Sequence, residues 1–152
     1  MAYIPENAKW YVATMVEEIT VEGDSRNVVH KNYILIRGDS PEDAYEKAYE
    51  LGKKSDVSYE NPKGRLVQIK FRGLSELNVI YDELEHGAEL LYEELLGLPE
   101  EQVEALLRSK KDLGVFQPIS PSVGPNYSSR EVLENAKKLI VSAAGGGPAH
   151  KT

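Results

Sequence analysis

The sequence predicts an α+β fold: an antiparallel sheet of three to four strands, one helix packed across a face, and two further C-terminal helices. Three observations lead there. Residues 10–21 and 28–37 are runs of β-branched and aromatic residues parted by turn formers. Ser40 and Pro41 open an amphipathic segment with a helix-start signal. Residues 65–72 alternate apolar and polar with a period of two.

In the first run Trp10, Val12, Thr14 and Val16 alternate with Tyr11, Ala13, Met15 and Glu17, the spacing of a strand. Residues 22–27, EGDSRN, supply the turn that lets residues 28–37 return antiparallel. The consecutive Ile34, Leu35 and Ile36 predict burial on both faces of that second strand. A helix is predicted over residues 41–51. Ser40 can accept from a free backbone N–H, Pro41 suits the first helical position, and Asp43 stands three residues after the cap. Ala44, Ala48 and Leu51 share one face, and Gly52 is placed to end the helix in the left-handed conformation.

The sequence NPKG at 61–64 has the preferences of a type I turn. In the run after it Val67, Ile69 and Phe71 take the core side, and Gln68, Lys70 and Arg72 the solvent side. Leu74, Leu77, Tyr81 and Leu84 then fit a helical stripe, although Val79, Ile80 and Tyr81 also suit a strand; a short helix or irregular chain is expected. Residues 85–87, Glu-His-Gly, read as a turn, and beyond it Ala88, Leu91, Tyr92 and Leu95 match a helix better than a strand. Residues 98–111 read as a helix with an acidic first turn and a stripe of Val103, Leu106 and Leu107.

Three prolines and a glycine interrupt residues 115–127, an extended connector. Ser128 and Glu131 form a capping box for a last helix, whose broad apolar face carries Val132, Leu133, Ala136, Leu139, Ile140 and Ala143. The organisation expected is therefore a core domain over 1–114, a Pro-rich connector over 115–127, an amphipathic helix over 128–144 and a disordered tail over 145–152.

At 152 residues the chain suffices for one domain that buries roughly two-thirds of its unfolded surface. It contains no cysteine, which excludes disulfides, a thiolate nucleophile and Cys-ligated metal sites, and agrees with a reducing compartment. No apolar run approaches the ~18 residues of a bilayer span, and the N-terminus lacks a signal-peptide pattern, so a cytoplasmic protein is expected. A net charge of −7, with basic residues no denser than pairs, disfavours nucleic acid.

The densest polar cluster is Asp82, Glu83, Glu85, His86 and Glu89, which could hold a divalent cation through oxygen ligands and one imidazole. Its spacing matches no metal motif, and a solvated acidic turn explains it as well. His30, mid-strand, could serve as a general base if a carboxylate neighboured it across the sheet; the plainer reading is a partly exposed strand residue. No G-x-S-x-G elbow is present, and Gly145, Gly146 and Gly147 follow a helix instead of opening one, so no phosphate cradle is expected. No catalytic residue and no cofactor are assigned. Nine tyrosines against two phenylalanines favour contact surfaces that tolerate water. Tyr45 and Tyr49, four apart on the first helix, either flank the core or face a partner.

WYVA at residues 10–13, SPEDAYEKA at 40–48 with Leu51-Gly52, GRLVQIKFRGL at 64–74 and DELEHGAEL at 82–90 together resemble a bacterial family of small proteins known as domain of unknown function 4288. The resemblance spans about residues 10–94. It implies that residues 89–94 continue as an antiparallel strand, against the helical periodicity. The family has no assigned activity, so the resemblance implies no catalytic or binding residue.

The function expected is a non-catalytic interaction or regulatory module that binds itself or another protein, as a regulatory or immunity-type partner, with a homodimer formed through Tyr45, Tyr49, Leu133, Leu139 and Ile140. The alternative is a small enzyme or ligand-binding domain built on Asp82, Glu85, His86, Glu89 and His30.

Overall fold

The computed structural model describes residues 4–119 and 123–129. The two opening runs form β1 (Trp10–Val21) and β2 (Val28–Arg37), paired antiparallel with Trp10 opposite Arg37 and Ile19 opposite Val28. α1 (Pro41–Lys54) follows, then β3 (Val57–Glu60), too short to stand out from sequence, and β4 (Leu66–Val79). The strands make one antiparallel sheet in the order β2-β1-β4-β3, and the α+β class holds.

β1 lies between two partners and is buried on both faces from Tyr11 to Met15, as its composition requires. β2 is an edge strand, and here the expectation fails: Ile36 is buried but Leu35 is 47 % exposed, because α1 covers only one face of the sheet. On the covered face Tyr11, Ala13, Met15 and Ile36 pack with Ala44 and Ala48 of α1. A second cluster, Ile19, Val21 and Val67, gathers Val28, Tyr59, Ile69 and Tyr127 at the far end.

α1 starts as its sequence dictates. The Ser40 hydroxyl accepts from the Asp43 N–H at 3.1 Å, and the Asp43 carboxylate accepts from the Asp39 N–H at 2.9 Å. A cap of this type contributes about 1 kcal/mol. The Asp39 N–H, and then Lys47, hold the Asp43 carboxyl below its usual value. The end of the helix differs from expectation. Gly52 does not terminate it but lies inside, buried, and the helix runs on to Lys54 with Ser55 as its right-handed C-cap. Its buried row is Ala44, Ala48 and Gly52, with Leu51 half exposed beside it. The ring of Phe71 sits where a Gly52 Cβ would be, at 2.5 Å, so only glycine fits.

The stretch after residue 72 is strand, not helix. The pairing of β4 with β1 slips twice: Thr14 faces Glu76 while Met15 faces Leu74, and Val16 faces Gly73 while Glu17 faces Phe71. Ser75 and Arg72 are thus the extra residues of two β-bulges, and Gly73 between them has φ +139°, which a side chain rarely adopts. The inward positions become Phe71, Leu74 and Leu77, three apart. That spacing imitates a helix.

Residues 89–94 are neither helix nor strand. The helix expected at 98–111 shrinks to α2 (Glu100–Ala105), followed by 3₁₀ turns at Lys110–Asp112 and Gly114–Phe116. Pro99 caps α2 without a side-chain hydrogen bond, and no residue of α2 is buried, so packing does nothing to lengthen it. The stripe of Val103, Leu106 and Leu107 lies exposed. The final helix expected from Ser128, with Leu133, Leu139 and Ile140, falls outside the described residues apart from its first two positions.

In the β1–β2 turn the Asp24 carboxylate accepts from the Arg26 guanidinium at 2.9 Å and from the Arg26 N–H at 3.0 Å. The guanidinium first, and the N–H second, lower its pKa from 3.8 to about 2. An acid depressed on folding stabilises above its unfolded value and ceases to as pH falls through its folded one, so the contribution is complete above pH 3.8 and fades towards pH 2. An NMR titration should give Asp24 a midpoint near 2 that moves up towards 3.8 in Arg26→Ala. A midpoint near 3.8 in the wild type would show that the pair does not persist in solution.

Candidate functional site

The acidic cluster after β4 resolves into a turn with a structural task. The Asp82 carboxylate accepts from the Glu89 N–H at 3.0 Å, and the Ala88 N–H donates to the Glu85 carbonyl at 3.0 Å, folding the chain back on itself. Asp82 and Glu89 come together; Glu85 and His86 are exposed and line no cavity with them. Among the described residues no three His, Asp or Glu side chains converge as a metal site.

The fold-back leaves a cleft of about 440 Å³ between residues 89–94 and the covered side of the sheet. Ile4, Tyr11, Leu77, Val79 and Leu91 supply apolar wall, while Asp82 and Glu89 stand at one side. Burial, and then the nearby Glu42, raise the Tyr11 phenol above its ordinary pKa, so it stays a neutral donor. The foot of the following segment forms the wall of the cleft opposite the sheet.

His30 lies away from that turn. Its partner in β1 is Glu17, six residues from Tyr11, which faces Val79 at the other end. A carboxylate thus neighbours His30 across the sheet, yet the imidazole packs edge-on against Tyr127 at 5.6 Å. It is a clasp: the Tyr59 hydroxyl donates to the Tyr127 carbonyl, and the Asn61 amide donates to the Asn126 carbonyl at 3.0 Å. Burial and Tyr127 raise the Tyr59 pKa, keeping that donor protonated.

Tyr49 packs inward, edge-on to Phe71 at 5.5 Å, and Tyr45 leans on Tyr49 at 4.8 Å while half exposed. The neighbouring Tyr49 hydroxyl raises the Tyr45 pKa. One tyrosine therefore edges the core and the other reaches solvent.

Two surfaces that the sequence reading passed over are more prominent. From residue 95 to 119 the chain forms an arm whose apolar side chains stand in solvent: Leu96 is 92 % and Ile119 90 % exposed, with Leu107, Val115 and Phe116 also open. Neither α2 nor the 3₁₀ turns pack extensively on the sheet or α1. The tip is nonetheless ordered locally, since Lys110 lies over the Phe116 ring at 5.3 Å and Ser109 donates to Asp112 at 2.7 Å. The second surface is the sheet face away from α1, where Leu35 and Tyr33, 61 % exposed, stand opposite Val12 and Thr14. Trp10 borders it, with the Arg37 guanidinium 5.6 Å from its ring centre. The apolar outward row of β2, Val29, Tyr33 and Leu35, was the signal in the sequence.

Among the described residues no helix is long and apolar enough to cross a membrane. A family model described as "Domain of unknown function (DUF4288)" matches residues 10–92. No curated protein and no solved structure matches the chain. The matched span covers the sheet, α1 and all of the cleft lining except Ile4 and Glu94, and stops at the foot of the arm.

Proposed function

The chain belongs to the DUF4288 family, and from that premise we propose that it is a cytoplasmic, non-catalytic interaction or regulatory module that works as a homodimer. The observation that carries the reading is the arm. Large apolar side chains held this far into water on a locally ordered segment call for a protein surface to cover them. Single exposed leucines need no explanation, but here they follow one another from Leu95 to Ile119 along one stretch of chain. The acidic turn already spends Asp82 on the chain's own backbone, and His30 on Tyr127, which leaves surface contact as the better-supported use of the molecule. A chain without cysteine is suited to the reducing cytoplasm.

Sedimentation velocity on the full chain, from sub-micromolar to tens of micromolar, tests the proposal. The weight-average mass should climb from 17.0 kDa towards twice that value with concentration. A single 17.0 kDa species throughout would overturn it.

A further inference from the structure

We infer that the open sheet face receives the arm of a second copy of this chain, each protomer giving its arm to the other's β1–β2 surface; this rests on the self-association reading above. Charge selects the occupant. The only charged residues of β2 are Lys31 and Arg37, both cations, both exposed, and both on the uncovered face, opposite Val16 and Trp10. Between them lie Tyr33 and Leu35. The start of the arm is their complement: residues 95–104 hold Glu100, Glu101 and Glu104, no lysine or arginine, and the exposed Leu95, Leu96 and Val103, with Glu93 exposed just before them. On its β2 side the apolar strip carries cations alone, while on the rest of the face Glu18 pairs with Arg72 at 3.5 Å and Glu76 stands opposite Thr14. The β2 side thus meets an apolar segment rimmed by carboxylates, which orients and speeds docking.

The competing contact is weaker. Two β2 edges pairing antiparallel about Ile34, the register that pairs the most of both strands between Lys31 and Arg37, would bring Lys31 of each strand against Arg37 of the other, and like charges across a pair repel. The same chain's arm is also poorly placed. Its foot, turned back at Asp82 and Glu89, walls the cleft beside Tyr11 and Pro41, and the return of the chain is clasped at Tyr59 and His30, so both roots are on the α1 side of the sheet, away from the open face. The arm of a second copy is rooted on its own sheet and is free of the tether to this one.

Complementary charge reversals test this. A face-reversed chain, Lys31→Glu with Arg37→Glu, and an arm-reversed chain, Glu93→Lys with Glu104→Lys, should each associate at least tenfold more weakly than the wild type in sedimentation equilibrium. All four positions are exposed, and the arm changes avoid the first turn of α2, so thermal melts at low protein concentration, where association does not contribute, should shift little beyond the loss of the Arg37–Trp10 contact. Mixed in equal amounts, the two chains should regain wild-type affinity as a heterodimer, since both contacts are then opposite in sign. A mixture no stronger than either variant alone, beside a wild type that dimerises, overturns the arm-on-face contact and leaves self-association standing. Association that survives the single-chain reversals overturns it too and directs attention to another contact, such as residues 128–144. A wild type that never associates overturns both readings.

Discussion

Ile36→Ala is expected to lower the unfolding free energy by about 2–5 kcal/mol, while Leu35→Ala, one residue earlier, should change it by less than about 1 kcal/mol. The two side chains are alike in size and adjacent in β2, but Ile36 is 2 % exposed and Leu35 is 47 % exposed. Removing Ile36 opens a cavity among Tyr11, Ala13, Ala44 and Ala48, where α1 and the sheet cannot easily close on the space. Removing Leu35 gives up contact on a face that water already reaches. Denaturant melts at low protein concentration, where association does not contribute, will measure both. Since a domain of this size has only about 5–15 kcal/mol in all, the first variant should be visibly marginal. Equal losses from the two substitutions would mean that the uncovered face of the sheet is buried in the folded monomer.

Gly52→Ala should destabilise, against the ordinary rule for helices. In an open helix interior alanine gains about 1 kcal/mol over glycine. At position 52 the new methyl would meet three carbons of the Phe71 ring at 2.5–2.6 Å. Tyr49 stands edge-on at 5.5 Å and limits how far that ring can retreat. Overpacking of this kind costs about 1–3 kcal/mol, so it wins. The sign should then reverse in a Phe71→Ala background, where the methyl has room and the propensity gain of about 1 kcal/mol reappears. A double-mutant cycle by chemical denaturation reads this directly. If Gly52→Ala stabilises the otherwise wild-type chain, the ring yields freely and the close approach is not what holds glycine there.

Much of the fold was legible because local rules and tertiary packing agree. Alternation placed β1, β2 and the first half of β4, and the Ser40-Pro41-Asp43 signal placed the start of α1 to the residue. The failures have physical causes. The two bulges in β4 space Phe71, Leu74 and Leu77 three apart, and periodicity cannot separate that from a helix. Gly52 carries a helix-end signal, but its role depends on Phe71, nineteen residues on, which no local pattern reveals. The stripe of Val103, Leu106 and Leu107 promised a helix of four turns; without a surface to bury it, only Glu100–Ala105 forms. For the site, the sequence singled out acids and histidines by type, whereas the structure engages Asp82 and His30 in holding chain segments together. What it could not show is which apolar residues remain uncovered, because exposure is a property of the assembled sheet.

The anchoring of residues 123–127 also bears on how the projecting segment can change. Arg26 reaches the Val123 carbonyl at 3.4 Å, and Tyr59 and Asn61 hold residues 126–127, so the segment is fixed at both roots instead of trailing as a free end. Closing such a span costs only about 0.6 kcal/mol more for each doubling of its length. Its reach can therefore be lengthened or shortened by insertion and deletion with little effect on the sheet, which makes spacing between docked bodies adjustable separately from the fold that carries it.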